Sequence, residues 1–135
     1  MEKLYIVIPC YNEEEVLEKT SAELKKKMET LIQKKKIDKQ SKVIFVNDGS
    51  KDKTWDLIQQ FYQGDKLFGG INLSRNRGHQ NALLAGLLTV KDDADVVISM
   101  DADLQDDIEA IDEMIEKRQE GADIVYGVRN SRKKD

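Results

Sequence analysis

Apolar residues in this chain fall into short runs separated by longer segments of helical spacing. Leu4-Tyr5-Ile6-Val7-Ile8 reads as a strand, and the sole proline, Pro9, is expected to close it because it cannot donate to a sheet ladder. From about Glu13 to Lys36 the positions Val16, Leu17, Leu24, Met28, Leu31 and Ile32 form one apolar stripe of a helix. Glu15 with Lys19 and Glu23 with Lys27 have favourable i,i+4 spacing, and the lysines at 25–27 and 34–36 read as the solvated face. Val43-Ile44-Phe45-Val46 is a second strand, and Trp55, Ile58, Phe61 and Tyr62 mark the inner face of the next helix. On this reading Trp55 is a core residue. A weaker third strand lies around Gly70 to Leu73. The helix from Gln80 to Thr89 is apolar on most sides and is expected to be buried. Val96 to Ser99 is a fourth strand, followed by a helix carrying Ile108, Ile111, Met114 and Ile115. Gly121 should stop that helix, Ala122 to Val128 reads as a fifth strand, and residues 129–135 are polar and basic.

Strands alternating with helices imply βαβ units: an α/β fold with a mostly parallel sheet, flanking helices and right-handed crossovers. At 135 residues the chain is expected to form one domain with its own core. A net charge of -4 with interspersed signs leaves no nucleic-acid footprint. With one cysteine, Cys10, there is no internal disulfide, which fits a reducing compartment. No apolar run approaches the roughly 18 residues of a membrane span, and the N-terminal residues lack a signal-peptide pattern.

The chemistry collects at the strand ends. The fourth strand runs into Asp101-Ala102-Asp103-Leu104-Gln105, the second into Asn47-Asp48-Gly49-Ser50, and the first into Asn12-Glu13. In open α/β sheets ligands bind outside the carboxyl ends of the strands. Carboxylates there repel one another unless a cation intervenes, and Mg²⁺ characteristically takes one or two carboxylates plus phosphate oxygens. The third strand end supplies Arg75, Arg77 and His79, bases suited to phosphate. Taken singly, each of these residues reads as a cap or a turn. Together they suggest a phosphorylated, metal-bound ligand. Neither G-x-G-x-x-G nor G-x-x-x-x-G-K-[ST] is present, so the ordinary dinucleotide and P-loop devices are excluded.

Four motifs in order then carry a resemblance: Val7-Ile8-Pro9-Cys10-Tyr11-Asn12-Glu13, Val46-Asn47-Asp48-Gly49-Ser50-x-Asp52-x-Thr54, Asn76-Arg77-Gly78-x-x-x-Ala82 and Asp101-Ala102-Asp103-Leu104-Gln105. The chain resembles family 2 glycosyltransferases of the Rossmann-like GT-A fold, and within them the dolichol-phosphate mannose synthase and bactoprenol glucosyltransferase subgroup. Gly121 to Arg129 matches a later subgroup pattern, whereas Asp106-Asp107-Ile108 departs from the proline-bearing turn usual after D-A-D-L-Q.

The resemblance implies that Pro9, Tyr11, Glu13, Asp48, Gly78, Asp101 and Arg129 bind a UDP- or GDP-sugar. It implies that Asp101 and Asp103 hold Mg²⁺ or Mn²⁺, and that Asp103 and Gln105 act at the reacting sugar. The implied reaction is inverting transfer to a polyprenyl phosphate. The family domain continues past the G-x-R pattern, so the chain is expected to be a truncated donor half. Its acceptor-binding and membrane-facing parts would then lie beyond residue 135, and a sheet edge would be left open to pairing with a second copy. Two other readings stay open. In a phosphohydrolase of the haloacid dehalogenase type Asp101 would be a nucleophile. The chain could also be a nucleotide-binding module without catalysis.

Overall fold

The computed structural model describes residues 1–103 and 108–119. Among these residues four strands, β1 (Leu4–Cys10), β2 (Lys42–Asp48), β3 (Phe68–Leu73) and β4 (Val96–Ser99), alternate with four helices, α1 (Leu17–Gln33), α2 (Thr54–Gly64), α3 (His79–Val90) and α4 (Ala110–Gln119). All strand pairings are parallel, in the order β3-β2-β1-β4. This is the α/β fold expected from the sequence.

β1 lies between β2 and β4, and all seven of its residues are buried, as a parallel strand covered on both faces requires. Its side chains alternate between two cores. Leu4, Ile6, Ile8 and Cys10 join Val43, Phe45 and Ile98 against Leu24 and Met28 of α1, Ile58 of α2 and Ile111 of α4. Tyr5 and Val7 join Ile44 and Val46 against Ala82 and Val90 of α3. The second helix packs as expected, with Trp55, Phe61 and Tyr62 partly buried against the first core.

Three expectations change in detail. The strand does not stop before Pro9 but continues through it, with Pro9 opposite Val46 and Cys10 opposite Asn47. The Lys3 and Val7 carbonyls accept from Val96 and Met100, so alternate residues of β1 direct their backbone polar groups towards β4. Pro9 belongs to that set and lies beyond the last β1–β4 pair, Val7 with Ser99, so its missing N–H breaks no ladder bond. α1 begins at Leu17 rather than Glu13, because residues 13–16 form a turn closed by Glu13 O accepting from Val16 and Leu17. Lys27 turns away from Glu23 and pairs with Asp112 of α4 at 2.6 Å, while Glu23 is met by Lys19 at 3.9 Å.

α3 is the largest departure. It covers its face of the sheet through small residues, Ala82 and Gly86, and through Val90. That spacing turns Leu84 and Leu88 outward, where they are 51% and 55% exposed. An apolar composition therefore did not mean burial on every side. The expected fifth strand, Ala122 to Val128, lies outside the described residues, and no described helix is long and apolar enough to cross a membrane.

Candidate functional site

β1 to β3 are laid down in one direction, and the chain then crosses back to place β4 on the other side of β1. Beyond the carboxyl ends of β1 and β4 the loops diverge, which is where an open α/β sheet forms a crevice. A cleft of about 340 Å³ lies there, lined by Pro9 to Tyr11, Glu13, Asp48, Asn76, Gly78, His79, Asp101 and Ala102. Seven of the residues named from the sequence, Pro9, Tyr11, Glu13, Asp48, Gly78, His79 and Asp101, thus share one space. Asp103 is half-buried and lies just along the chain from the lining. Gln105 and Arg129 lie outside the described residues. The cleft also takes in Cys10, Asn76 and Ala102, which the sequence reading did not assign a role.

Asp48 is 3% exposed at the end of β2. Its Oδ1 accepts the Arg77 backbone N–H at 2.6 Å and its Oδ2 the Gly78 N–H at 3.1 Å. Asn76 Nδ2 donates to the Asp48 carbonyl at 3.2 Å. The loop before α3 is thereby bound to β2. Gly49 makes this approach possible: its φ is +70°, and a Cβ there would sit 2.2 Å from Asn76 N. Each Asp48 oxygen keeps a further lone pair, so the carboxylate can still accept from a ligand.

The loop after β1 is laced to the loop after β2. Asn12 N–H donates to Ser50 Oγ at 2.8 Å, Glu13 N–H to Thr54 Oγ1 at 2.8 Å and Glu14 N–H to Asp52 Oδ2 at 3.2 Å. In return Lys51 N–H donates to Asn12 Oδ1 and Lys53 N–H to Glu14 Oε1, both at 2.8 Å. Asn12 adopts a left-handed φ of 54°, a conformation Asn tolerates better than most residues. Asp52 also accepts from the Thr54 amide at 2.9 Å and hydroxyl at 2.6 Å. Partial burial works against its ionisation, but the bonds from the Thr54 hydroxyl and amide and the Glu14 amide outweigh this and hold its carboxyl below the usual range. Ser50, Asp52 and Thr54 thus fix the loop that brings Tyr11 and Glu13 to the cleft. Their spacing was visible in the second motif, but their partners were not.

Cys10 is buried, its Sγ lying 3.4 Å from the Ile8 carbonyl. Burial, aided by the Glu13 carboxylate, pushes the thiol well above its ordinary pKa. Cys10 is therefore a wall of the cleft and not a nucleophile. Asp101 and Asp103, two apart in sequence, offer two hard oxygen donors, and the described residues hold no group of three or more His, Cys, Asp or Glu side chains that could bind a metal. Such a pair suits a cation that completes its shell with phosphate oxygens and water, the habit of Mg²⁺.

Comparison with known proteins agrees with the architecture. The model of glycosyl transferase family 2 matches residues 5–135. An uncharacterized glycosyltransferase of Bacillus subtilis, YkoT, is 53% identical over 132 residues, covering 98% of this chain and 39% of its own length. Bactoprenol glucosyl transferase of Shigella phage SfV is 39% identical over 136 residues, covering 98% of this chain and 41% of its own. The chain thus spans about two-fifths of the length of these relatives. Among solved structures, S. aureus TarS 1–349 in complex with UDP superposes with a TM-score of 0.58 over 82% of this chain and 32% of that one. At 22% identity that likeness is one of fold.

Proposed function

Because the chain belongs to glycosyl transferase family 2, we propose that its cleft takes the nucleoside diphosphate of a UDP- or GDP-sugar. The whole enzyme then transfers the sugar, with inversion, to a polyprenyl phosphate. The observation that carries this reading is the gathering of Pro9, Tyr11, Glu13, Asp48, Gly78 and Asp101 around one crevice beside the β1–β4 switch. The similarity to a bactoprenol glucosyl transferase supports the lipid-phosphate acceptor. The fold shared with a UDP-complexed protein supports the donor.

The roles follow from chemistry. Glu13 and Asp48 offer carboxylate acceptors for the base edge and ribose hydroxyls. Tyr11, 43% exposed at the lip, offers a ring face to the base. Asp101 and Asp103 are the residues that would hold Mg²⁺ or Mn²⁺. When bound, the ion neutralises charge growing on the departing diphosphate. Gly78 and His79 open α3, whose N-terminal dipole favours the same anion. In the transfer an acceptor phosphate oxygen attacks the anomeric carbon from the face opposite the leaving group. The bond from that carbon to the diphosphate oxygen breaks, releasing the nucleoside diphosphate. A phosphate acceptor is already anionic, so no strong general base is required of this half.

The donor rim lies on the first four strands, and orienting the acceptor falls to the further length that the relatives possess. Correct orientation of both reactants is worth roughly 7–11 kcal/mol in favourable cases. The 135-residue chain should therefore bind donor and transfer little, with transfer restored in a protein of the relatives' length. Calorimetry with UDP-glucose and GDP-mannose, paired with a transfer assay on both lengths, tests this. Robust transfer by residues 1–135 alone would contradict it, and turnover of p-nitrophenyl phosphate would favour a hydrolase instead.

A further inference from the structure

Hydroxyl side chains inside helices usually bond back to a carbonyl of the preceding turn. Thr30 does so to Lys26 O at 3.0 Å and Thr89 to Ala85 O at 2.8 Å. Thr20 does not. Its Oγ1 donates to the Ala102 carbonyl at 2.6 Å, 82 residues away in sequence. Donor and acceptor residues are both buried, at 5% and 3% exposure.

Ala102 is the centre of Asp101-Ala102-Asp103. β4 ends at Ser99, and the Met100 N–H makes the β1 contact that follows, to Val7 O at 3.1 Å. The two carboxylates therefore sit just past the strand's ladder. There the Ala102 methyl is embedded in the core and its carbonyl is held from α1. Thr20 occupies a position between Leu17 and Leu24 that the apolar stripe of α1 would otherwise fill with a hydrophobic residue. Its hydroxyl is oriented across the interface instead of along its own helix.

We propose that Thr20 is a positioning residue for the paired aspartates. It fixes the Ala102 peptide, and through it the point at which Asp101 and Asp103 meet a cation and diphosphate. The inference rests on the donor-binding reading above. Without the hydroxyl, a buried carbonyl loses its partner and the segment shifts to find another. Mg²⁺ tolerates little departure from octahedral geometry, so such a shift weakens the ion more than it weakens base and ribose contacts made by other loops.

Thr20→Val keeps the β-branched shape but puts a methyl group where the hydroxyl met the Ala102 carbonyl at 2.6 Å, Thr20→Ala removes the donor without that methyl, and Thr20→Ser restores the donor. Two readouts are taken: amide hydrogen exchange across residues 100–103 in metal-free protein, and the Mn²⁺ concentration giving half-maximal binding of UDP or GDP. In T20V both are expected to rise about tenfold, the effect of stranding one buried acceptor. Binding of the free nucleoside should be unchanged, and T20S should return both values to within about twofold of the parent on the same argument. Thr20→Ala provides the same comparison if T20V fails to fold. A parent protein that binds neither UDP nor GDP with Mn²⁺ would overturn the donor reading and this inference with it. A parent that binds, with T20V leaving the Mn²⁺ requirement unaltered or weakening nucleoside and diphosphate equally, would overturn this inference alone.

Discussion

The Gly78 backbone N–H donates to Asp48 Oδ2 at 3.1 Å across 30 residues of sequence, joining the end of β2 to the start of α3. Gly78 itself has no side chain with which to cap the helix. Asp48 instead takes the N–H groups of Arg77 and Gly78, which lead into the helix, and presents a carboxylate to the cleft at the same time.

Asp48→Ala should therefore affect both stability and binding. It leaves two N–H donors, of Arg77 and Gly78, without their acceptor, at a cost of about 1–3 kcal/mol for a buried group. Urea denaturation should show the lost stability, and titration with the free nucleoside should show weaker binding. Lost stability with unchanged nucleoside binding would reduce Asp48 to a turn residue.

Gly49→Ala should be more damaging to the fold. A Cβ at φ +70° would meet the backbone of Arg75 and Asn76 at 2.2–2.9 Å, with no flexible side chain to yield. Left-handed strain alone costs on the order of 1–3 kcal/mol. The expected result is a loss of at least about 2 kcal/mol in urea denaturation, or failure to accumulate folded protein. A variant as stable as the parent would mean that the loop carrying Asn76 moves freely.

Asp52 predicts a pH dependence. Its folded-state carboxyl titrates below the ordinary value of 3.8. Its stabilising effect is therefore fully present above that value and is lost as pH falls through the folded pKa. Asp52→Asn should be clearly less stable than the parent at pH 7, and the gap should close below about pH 4, where the unfolded carboxyl becomes protonated. A constant gap from pH 7 to pH 3 would contradict the lacing of Asp52 to Glu14 and Thr54.

Cys10 should react slowly with iodoacetamide at pH 8 in the native protein and rapidly after unfolding, because it is buried and its thiolate is disfavoured. Prompt native alkylation would show that the β1 end of the cleft opens.

Much of this was legible from spacing. The strand runs, the helical stripe of α1 and the strand-end residues pointed to a parallel sheet and to Glu13, Asp48, His79 and Asp101 at one crevice, while Pro9, Tyr11 and Gly78 came from the family resemblance. Two kinds of feature were not legible. The outward leucines of α3 depend on which side of an apolar helix carries the small residues that let it approach the sheet. The bonds from Thr20 to Ala102 and from Asp48 to Gly78 join positions 82 and 30 residues apart, a distance no local pattern encodes. The available signal was a polar residue seated in an apolar stripe, as Thr20 is in α1. Pro9 shows the converse: the missing donor was read correctly, but whether it ends a strand depends on which neighbour its nitrogen faces.

The central claim is that the cleft binds a nucleoside diphosphate through a cation held by Asp101 and Asp103. It is tested most directly by titrating the protein with UDP and with GDP, in Mn²⁺ and in EDTA, alongside Asp103→Ala. The account predicts binding of at least one of the two in Mn²⁺, with most of the affinity lost both in EDTA and in D103A. Equal affinity in EDTA and Mn²⁺ would contradict it.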